Sequence, residues 1–367
     1  MASLTQVAII SRRSIRFGFY ILIFLIIARF LFRTSVSFYD MLFPRPPSPP
    51  TVSFGDLPKL PFPEQTIPED ISYKLETPEG EFPTLIEQFP VYFMPPVSSN
   101  IKGLDFAKEN AESLGFDPDG RVIAENIPNV YYFRSRNAPS NLTINIVTGV
   151  FSISYDLNAD PTVIGTIPPA PEEARIQVED YLDSAKLLEE DLTGASTAQF
   201  LKVEVGKFVS VQSLSESDFI KISLFRKNIT FRDSEFPSLT PNYPKGNIWF
   251  MLSGSRVRNK SIIAAEYHYF PLDEEKFSTY PIKSSESAWE DLKEGGAYIV
   301  SPKEINGEIT VRRIYAAYYD AGQYTQFYQP VIVFEGDDDF MAFVPAVTDE
   351  YYDTQKAEEE NGSEATE

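Results

Sequence analysis

The chain contains no cysteine and a single histidine, His268, among 367 residues. Without thiols there can be no disulfides, no thiolate metal site and no cysteine nucleophile. One histidine likewise excludes paired-histidine zinc motifs and facial triads. A serine–histidine–carboxylate triad would have to use His268 in "AAEYHYF". Alternation there puts Glu266, His268 and Phe270 on one face of a strand, and no nucleophile-elbow motif accompanies them. P-loops and G-x-G-x-x-G turns are missing too. Positive charge is scarce, with 32 Lys and Arg against 53 Asp and Glu and a net charge of −21. Binding to nucleic acid needs a basic surface, so no nucleic-acid partner is expected. These gaps leave carboxylate chemistry as the one enzymatic route that residue counts do not close. No cofactor and no metal site are expected. The absence of cysteine also suits a protein exported from a bacterial cytoplasm.

Apolar sequence is concentrated first at the N-terminus. Arg12, Arg13 and Arg16 precede the run "FGFYILIFLIIA" at 17–28, which continues past Arg29 into "FLFR". With Arg29 and Arg33 snorkelling outward, the run extends to about residue 36, enough for a span of about 20 residues. A cleaved signal peptide has the same basic and apolar regions, but no small-x-small cleavage site follows this run. The expectation is a single-pass anchor at 17–36 in the cell membrane. The arginine cluster places 1–16 in the cytoplasm and the bulk of the chain outside it. Residues 37–70, including "PRPPSPPTVSFGDLPKLPFPEQTIPED", read as a stalk in extended polyproline II conformation, with an SH3 or WW ligand as the alternative.

Beyond the stalk, apolar periodicity predicts an α+β fold of helices packed on antiparallel sheets, arranged as two extracytoplasmic domains. The first, 71–157, opens with "PVYFMP" and the helix "GLDFAKENAESLGF". The strands "NVYYFRS", "NLTINIV" and "VFSISYDL" follow. A linker spans 158–170. The second domain, 171–347, begins with the helix "EEARIQVEDYLDSAKLLEEDL" and continues mainly in strands. Within it, "SSESAWEDLKEGG" reads as a short helix with Ser284 or Ser285 as N-cap and Gly295 and Gly296 as its stop. Ala288, Trp289 and Leu292 form its buried side. The tail 348–367 is acidic, lacks periodicity and is expected to be disordered.

Two features could carry function. "RRIYAAYYDAGQYTQFYQP" crowds tyrosines around one hairpin, and alternation cannot bury all of them, so some must meet solvent. Tyr318, Tyr324 and Tyr328 are therefore the candidate partner-binding residues, because rigid amphipathic rings suit recognition. The acidic turn "EGDDD" at 335–339 has the oxygen density of a calcium site without its spaced loop pattern, and reads as a solvated hairpin tip.

Residues 280–347 resemble the membrane-anchored extracytoplasmic regulators of the YycH/YycI kind and, more loosely, PepSY-type domains. The likeness rests on the "SESAWEDL" helix after Pro-Ile, the strand "ITVRRIYAAYYD", and "FYQPVIVFEG" with Gln-Pro near its start. It implies a helix on an antiparallel sheet, a regulatory role and no catalytic residues. The proline-rich segment and the acidic tail depart from that pattern. The expected function is non-enzymatic binding or regulation of another envelope protein. The alternatives are a carboxylate-dependent hydrolase of envelope glycans and an inhibitor or chaperone of a secreted peptidase.

Overall fold

A computed structural model of the chain describes residues 17–35, 49–66, 71–97, 102–122, 127–302 and 307–352. The expected cytoplasmic segment 1–16, residues 36–48 and 67–70 of the proline-rich segment, and the tail beyond 352 lie outside these residues. Helix α1 (Phe17–Ser35) is 19 residues long with mean hydropathy 1.9, long and apolar enough to cross a membrane. The chain from Pro50 onward is a separate compact unit.

That unit opens with β1 (Ile71–Leu75), β2 (Gln88–Phe93), α2 (Gly103–Ser113) and β3 (Arg121–Val122). Next come β4 (Val130–Arg134), β5 (Ser140–Asn145), β6 (Phe151–Tyr155), α3 (Pro171–Ser184), β7 (Ser196–Glu204), β8 (Lys207–Val211) and β9 (Phe219–Leu224). Short β10 (Ile229–Phe231), β11 (Ser234–Phe236) and β12 (Ser238–Leu239) lead to β13 (Ile248–Ser253), α4 (Arg258–Ser261), β14 (Ile262–Tyr267) and β15 (Asp273–Pro281). The chain closes with α5 (Ser285–Lys293), β16 (Tyr298–Ser301), β17 (Gly307–Tyr319), β18 (Phe327–Tyr328), β19 (Pro330–Gly336) and β20 (Met341–Pro345). The architecture is α+β with few helices, as the periodicity predicts, and its sheets are antiparallel except where β1 and β12 run parallel to β17.

The sheets do not follow the expected division into 71–157 and 171–347. Nine strands form one antiparallel sheet in the order β3-β4-β5-β6-β14-β13-β9-β7-β8, so β6 and β14 pair across the expected linker. Helices α2 and α3 cover one face of this sheet. Their Ala107, Ala111, Ala174, Val178 and Leu182 bury against Leu142, Ile153, Ile222 and Phe250. Small alanines let the helices lie close to the strands, and the Tyr181 hydroxyl donates to the Leu114 carbonyl to join the two helices. Strands β1 and β2, assigned by sequence to the first domain, pair instead with β17, β15 and β18. Each half of the chain thus supplies strands the other half needs, and neither closes its own core.

The second sheet runs β1-β17-β19-β20-β16, with β12 also on β17. One face is covered by α5 and by a three-stranded sheet, β15-β2-β18. Helix α5 starts as expected: the Ser284 side chain accepts from the Ser287 backbone N–H at 3.2 Å, and Gly295 takes φ +82° just past the last turn. A helix over an antiparallel sheet is what the resemblance of 280–347 implies.

The proline-rich segment covers the other face. In place of a free stalk, 49–66 is an arm laid along the sheet. Polyproline backbone has few N–H donors, so its carbonyls need donors from elsewhere. The fold supplies them: Gln329 Nε2 to Pro58 O at 2.9 Å, the Tyr319 hydroxyl to Pro61 O at 3.2 Å, and the Tyr280 hydroxyl to Gly55 O at 2.8 Å. Strand β16 is a sheet edge, which leaves peptide groups unpaired. Gln65 fills that gap like a missing strand, accepting from Ile299 N at 3.0 Å and donating to Ala297 O at 2.7 Å. Leu57 is fully buried, and the Phe62 ring stacks on Tyr298 at 5.4 Å and meets Tyr319 edge-on at 4.9 Å. Phe62→Ala should therefore lower stability by about 2 kcal/mol, between the cost of one aromatic pair and that of a fully buried ring. It should also expose 50–66 to protease. Unchanged denaturant midpoint and cleavage pattern would mean that the arm is not bound in solution.

Candidate functional site

The three tyrosines proposed from sequence do not form a binding surface. Tyr318 is fully buried and Tyr328 is 2% exposed, and their rings stack at 5.2 Å. The Tyr318 hydroxyl donates to the Pro90 carbonyl at 3.0 Å, and Tyr324 packs at the core margin near Phe270. The expectation assumed that one face of the sheet meets water, as antiparallel sheets often allow. Here β2 and β18 cover the face carrying Tyr318, while the arm covers the face carrying Tyr319. Both sets of rings become core. At the acidic turn, Asp337 pairs with Arg312, and Glu335 takes the Arg313 guanidinium and the Tyr315 hydroxyl.

A cleft of about 890 Å³ opens between the segments that follow α3, β9 and β14 and the strands β2, β10 and β15, with Arg226 in its lining. Arg226 follows β9, and its side chain is 4% exposed. It pairs with Asp191 and with Asp320 and donates to the Phe270 carbonyl. The Tyr269 ring lies 4.6 Å from the guanidinium. Burial works against its charge, yet Asp320, Tyr328 and Asp191 outweigh that and raise its pKa. Both Asp191 oxygens are occupied, one by Arg226 and the other by the Tyr269 hydroxyl at 3.0 Å. The Arg226 charge is matched by two carboxylates, which leaves this buried group with a net charge of −1.

The uncovered side of the nine-stranded sheet is different in character. Alternation turns Phe133, Leu142, Ile153, Ala265, Phe250 and Ile222 toward the helices. The opposite side chains form cross-strand rows. One runs Tyr132, Thr143, Ser152, Glu266, Trp249; a neighbouring one runs Asn141, Ser154, Ala264, Met251, Lys221. Part of this face is closed, since Val163 of the segment after β6 packs over Met251 and Phe219. The end around Trp249 stays open, and the indole is only half-buried. No helix or second sheet lies over it among the described residues.

Trp249 sits at the mouth of a recess of about 460 Å³ lined by Lys245, Asn247, Glu266, His268 and Gly322. The Lys221 ammonium lies 4.2 Å from the indole centroid and that of Lys245 lies 5.2 Å from it. Burial first, and the Lys245 charge second, push the Lys221 pKa down to about 8. His268 holds two acceptors, Glu266 Oε2 at 3.1 Å from Nε2 and the Gly322 carbonyl at 3.1 Å from Nδ1. A neutral imidazole can donate to only one of them. The Glu266 hydrogen bond first, against the cost of burial, raises the His268 pKa. Protonated, the ring donates to both acceptors; neutral, it donates to one and keeps a lone pair on the other nitrogen.

Sequence reasoning brought Glu266 and His268 together on one strand face, and the structure places them there. It passed over Trp249, Lys221 and Lys245. The signal for Trp249 was present: "NIWFML" puts Trp249 on the side opposite Ile248 and Phe250. The lysines come from a different strand and a loop, and only strand pairing brings them to the ring.

No family model and no curated protein matches the chain. Among solved structures, the chain is similar to an uncharacterized protein from Eubacterium rectale ATCC 33656. That match has 11% identity and a TM-score of 0.39, covering 77% of this chain and 90% of the other. It is also similar to the Bacillus megaterium YpeB C-terminal domain, with 14% identity and a TM-score of 0.31, covering 70% of this chain and 96% of that domain. With both scores under 0.5, the functional reading rests on the geometry of the chain itself.

Proposed function

We propose that the protein is a non-enzymatic, single-pass membrane-anchored binding protein. Its body lies outside the cytoplasm and engages an envelope partner through the open sheet face around Trp249. The observation that carries this reading is the partly exposed Trp249, set on the sheet side opposite α2 and α3 with the Lys221 and Lys245 ammonium groups over its ring. A large rigid ring left against water costs apolar burial, and aromatic residues are enriched where surfaces are recognised. Helix α1 supports the anchor. The resemblance of 280–347 to the YycH/YycI and PepSY groups points toward regulation of another envelope protein.

Trp249→Ala in the full-length chain, with crosslinking in intact cells, tests the reading. Loss of a crosslinked species with thermal unfolding within about 0.5 kcal/mol of wild type, the ordinary surface range, is the expected result. Capture unchanged in Trp249→Ala would show that this face does not engage the crosslinked partner.

A further inference from the structure

The open face also carries an unbalanced charge, and this points to the chemistry of its occupant. In a chain of net charge −21, the most enclosed cations are met by carboxylates. Arg226 has Asp191 and Asp320, Lys283 has Asp291 and Asp349, and Lys260 has Asp160. Lys221 is half-buried among the strands and has no carboxylate partner among the described residues. Its neighbour is the Trp249 ring, which it shares with Lys245. Two ammonium groups over one indole repel each other, and the lowered Lys221 pKa registers that repulsion together with burial. The one carboxylate in the recess, Glu266, is engaged by His268.

Resting on the reading of this face as the recognition surface, we propose that its Trp249 end binds a carboxylate-bearing glycan. Lys221 and Lys245 would pair the carboxylate, and the indole would take an apolar face of the sugar. An anion placed between the lysines relieves their repulsion and frees them from the ring, because long lysine stems reorient readily. Ser152, which pairs with Glu266, and Thr143, which pairs with Ser152, extend the row away from Trp249 and offer hydroxyls to a long polyhydroxyl ligand. A shallow, open sheet face suits a polymer lying across it better than a small ion, which needs enclosure. A polyphosphate offers the indole no apolar sugar face, so a uronate polymer is the ligand that engages the lysines and the ring together.

The test uses the full-length chain in detergent, titrated calorimetrically with polygalacturonate, with neutral dextran and with polyphosphate. Binding of polygalacturonate alone is expected. It should weaken at least tenfold in Lys221→Gln and in Lys245→Gln and be largely retained in Lys221→Arg. Lys245 is exposed, so its variant keeps the test valid if Lys221→Gln perturbs folding. No binding of polygalacturonate, equal binding of dextran, tighter binding of polyphosphate, or wild-type affinity in Lys245→Gln would each overturn the proposal. If polygalacturonate fails while crosslinking in cells still depends on Trp249, the glycan assignment falls and the recognition face stands. If glycan binding depends on the lysines while capture ignores Trp249, the proposed envelope partner falls and the glycan site stands.

Discussion

Trp289→Ala is expected to lower the free energy of unfolding by roughly 3–5 kcal/mol, the cost of truncating a large ring in a packed core. Trp289 is 7% exposed and sits where three elements converge. Its ring meets Tyr73 of β1 at 6.2 Å, Phe82 at 6.0 Å and Phe334 of β19 at 6.0 Å. The surroundings have little freedom to collapse into the space left behind. Helix α5 is fixed at its start by the Ser284 cap and by the Ser285 hydroxyl, which donates to Pro83 O at 2.6 Å. Lys283, held between Asp291 and Asp349 at 2.7 Å each, ties the same helix to the end of the chain. Urea unfolding followed by far-ultraviolet circular dichroism would measure the loss, and Trp289→Phe should cost clearly less. A change within about 0.5 kcal/mol, as at ordinary surface sites, would show that the indole does not hold α5 to the sheet.

How much of this was legible depended on how far along the chain each determinant lay. The start, stop and buried side of α5 could be read directly, because a cap, a left-handed glycine and the Ala288, Trp289 and Leu292 stripe all lie within a dozen residues. Alternation in "FSISYDL" and "NIWFML" likewise gave strands with a buried side. It could not say which strand lies beside which: β6 and β14 are over a hundred residues apart, and only their pairing shows that the expected linker interrupts no sheet. The arm was misread for a related reason. Its prolines set stiffness, which reads as a stalk. Its destination is set by Leu57, Leu60 and Phe62, whose apolar side chains recur among the prolines and find their partners more than two hundred residues later. The tyrosine hairpin followed from that misreading: with no arm on the sheet, one set of rings had to face water. Trp249 is the converse. Its side of the strand was readable, but nothing local says that α2 and α3 cover the other side and leave this one open.

Arg226→Met should destabilise the body by roughly 3–5 kcal/mol, the range for removing one partner of a buried ion pair. The arginine joins parts distant in sequence: the end of β9, Asp191 after α3, the Phe270 carbonyl beyond β14, and Asp320 after β17. Asp191 and Asp320 belong to the nine-stranded and six-stranded sides, respectively, and one guanidinium bridges both. Methionine fills much of the volume but leaves two partly enclosed carboxylates facing each other. The loss should therefore exceed that from removing packing alone. Asn247, whose side chain donates to the Asp320 carbonyl at 2.8 Å, continues the same seam. Breaking the arginine should loosen the junction between the sheets before either sheet melts. Urea unfolding of Arg226→Met is expected to show a lower midpoint and a shallower transition, the sign of lost cooperativity. Adding Asp191→Asn and Asp320→Asn to Arg226→Met should recover part of the loss, since the unpaired charges go with them. If Arg226→Met costs less than about 1 kcal/mol, as an exposed pair would, or if the asparagines restore nothing, then the two sheets are held together by apolar packing and the buried charges are incidental to it.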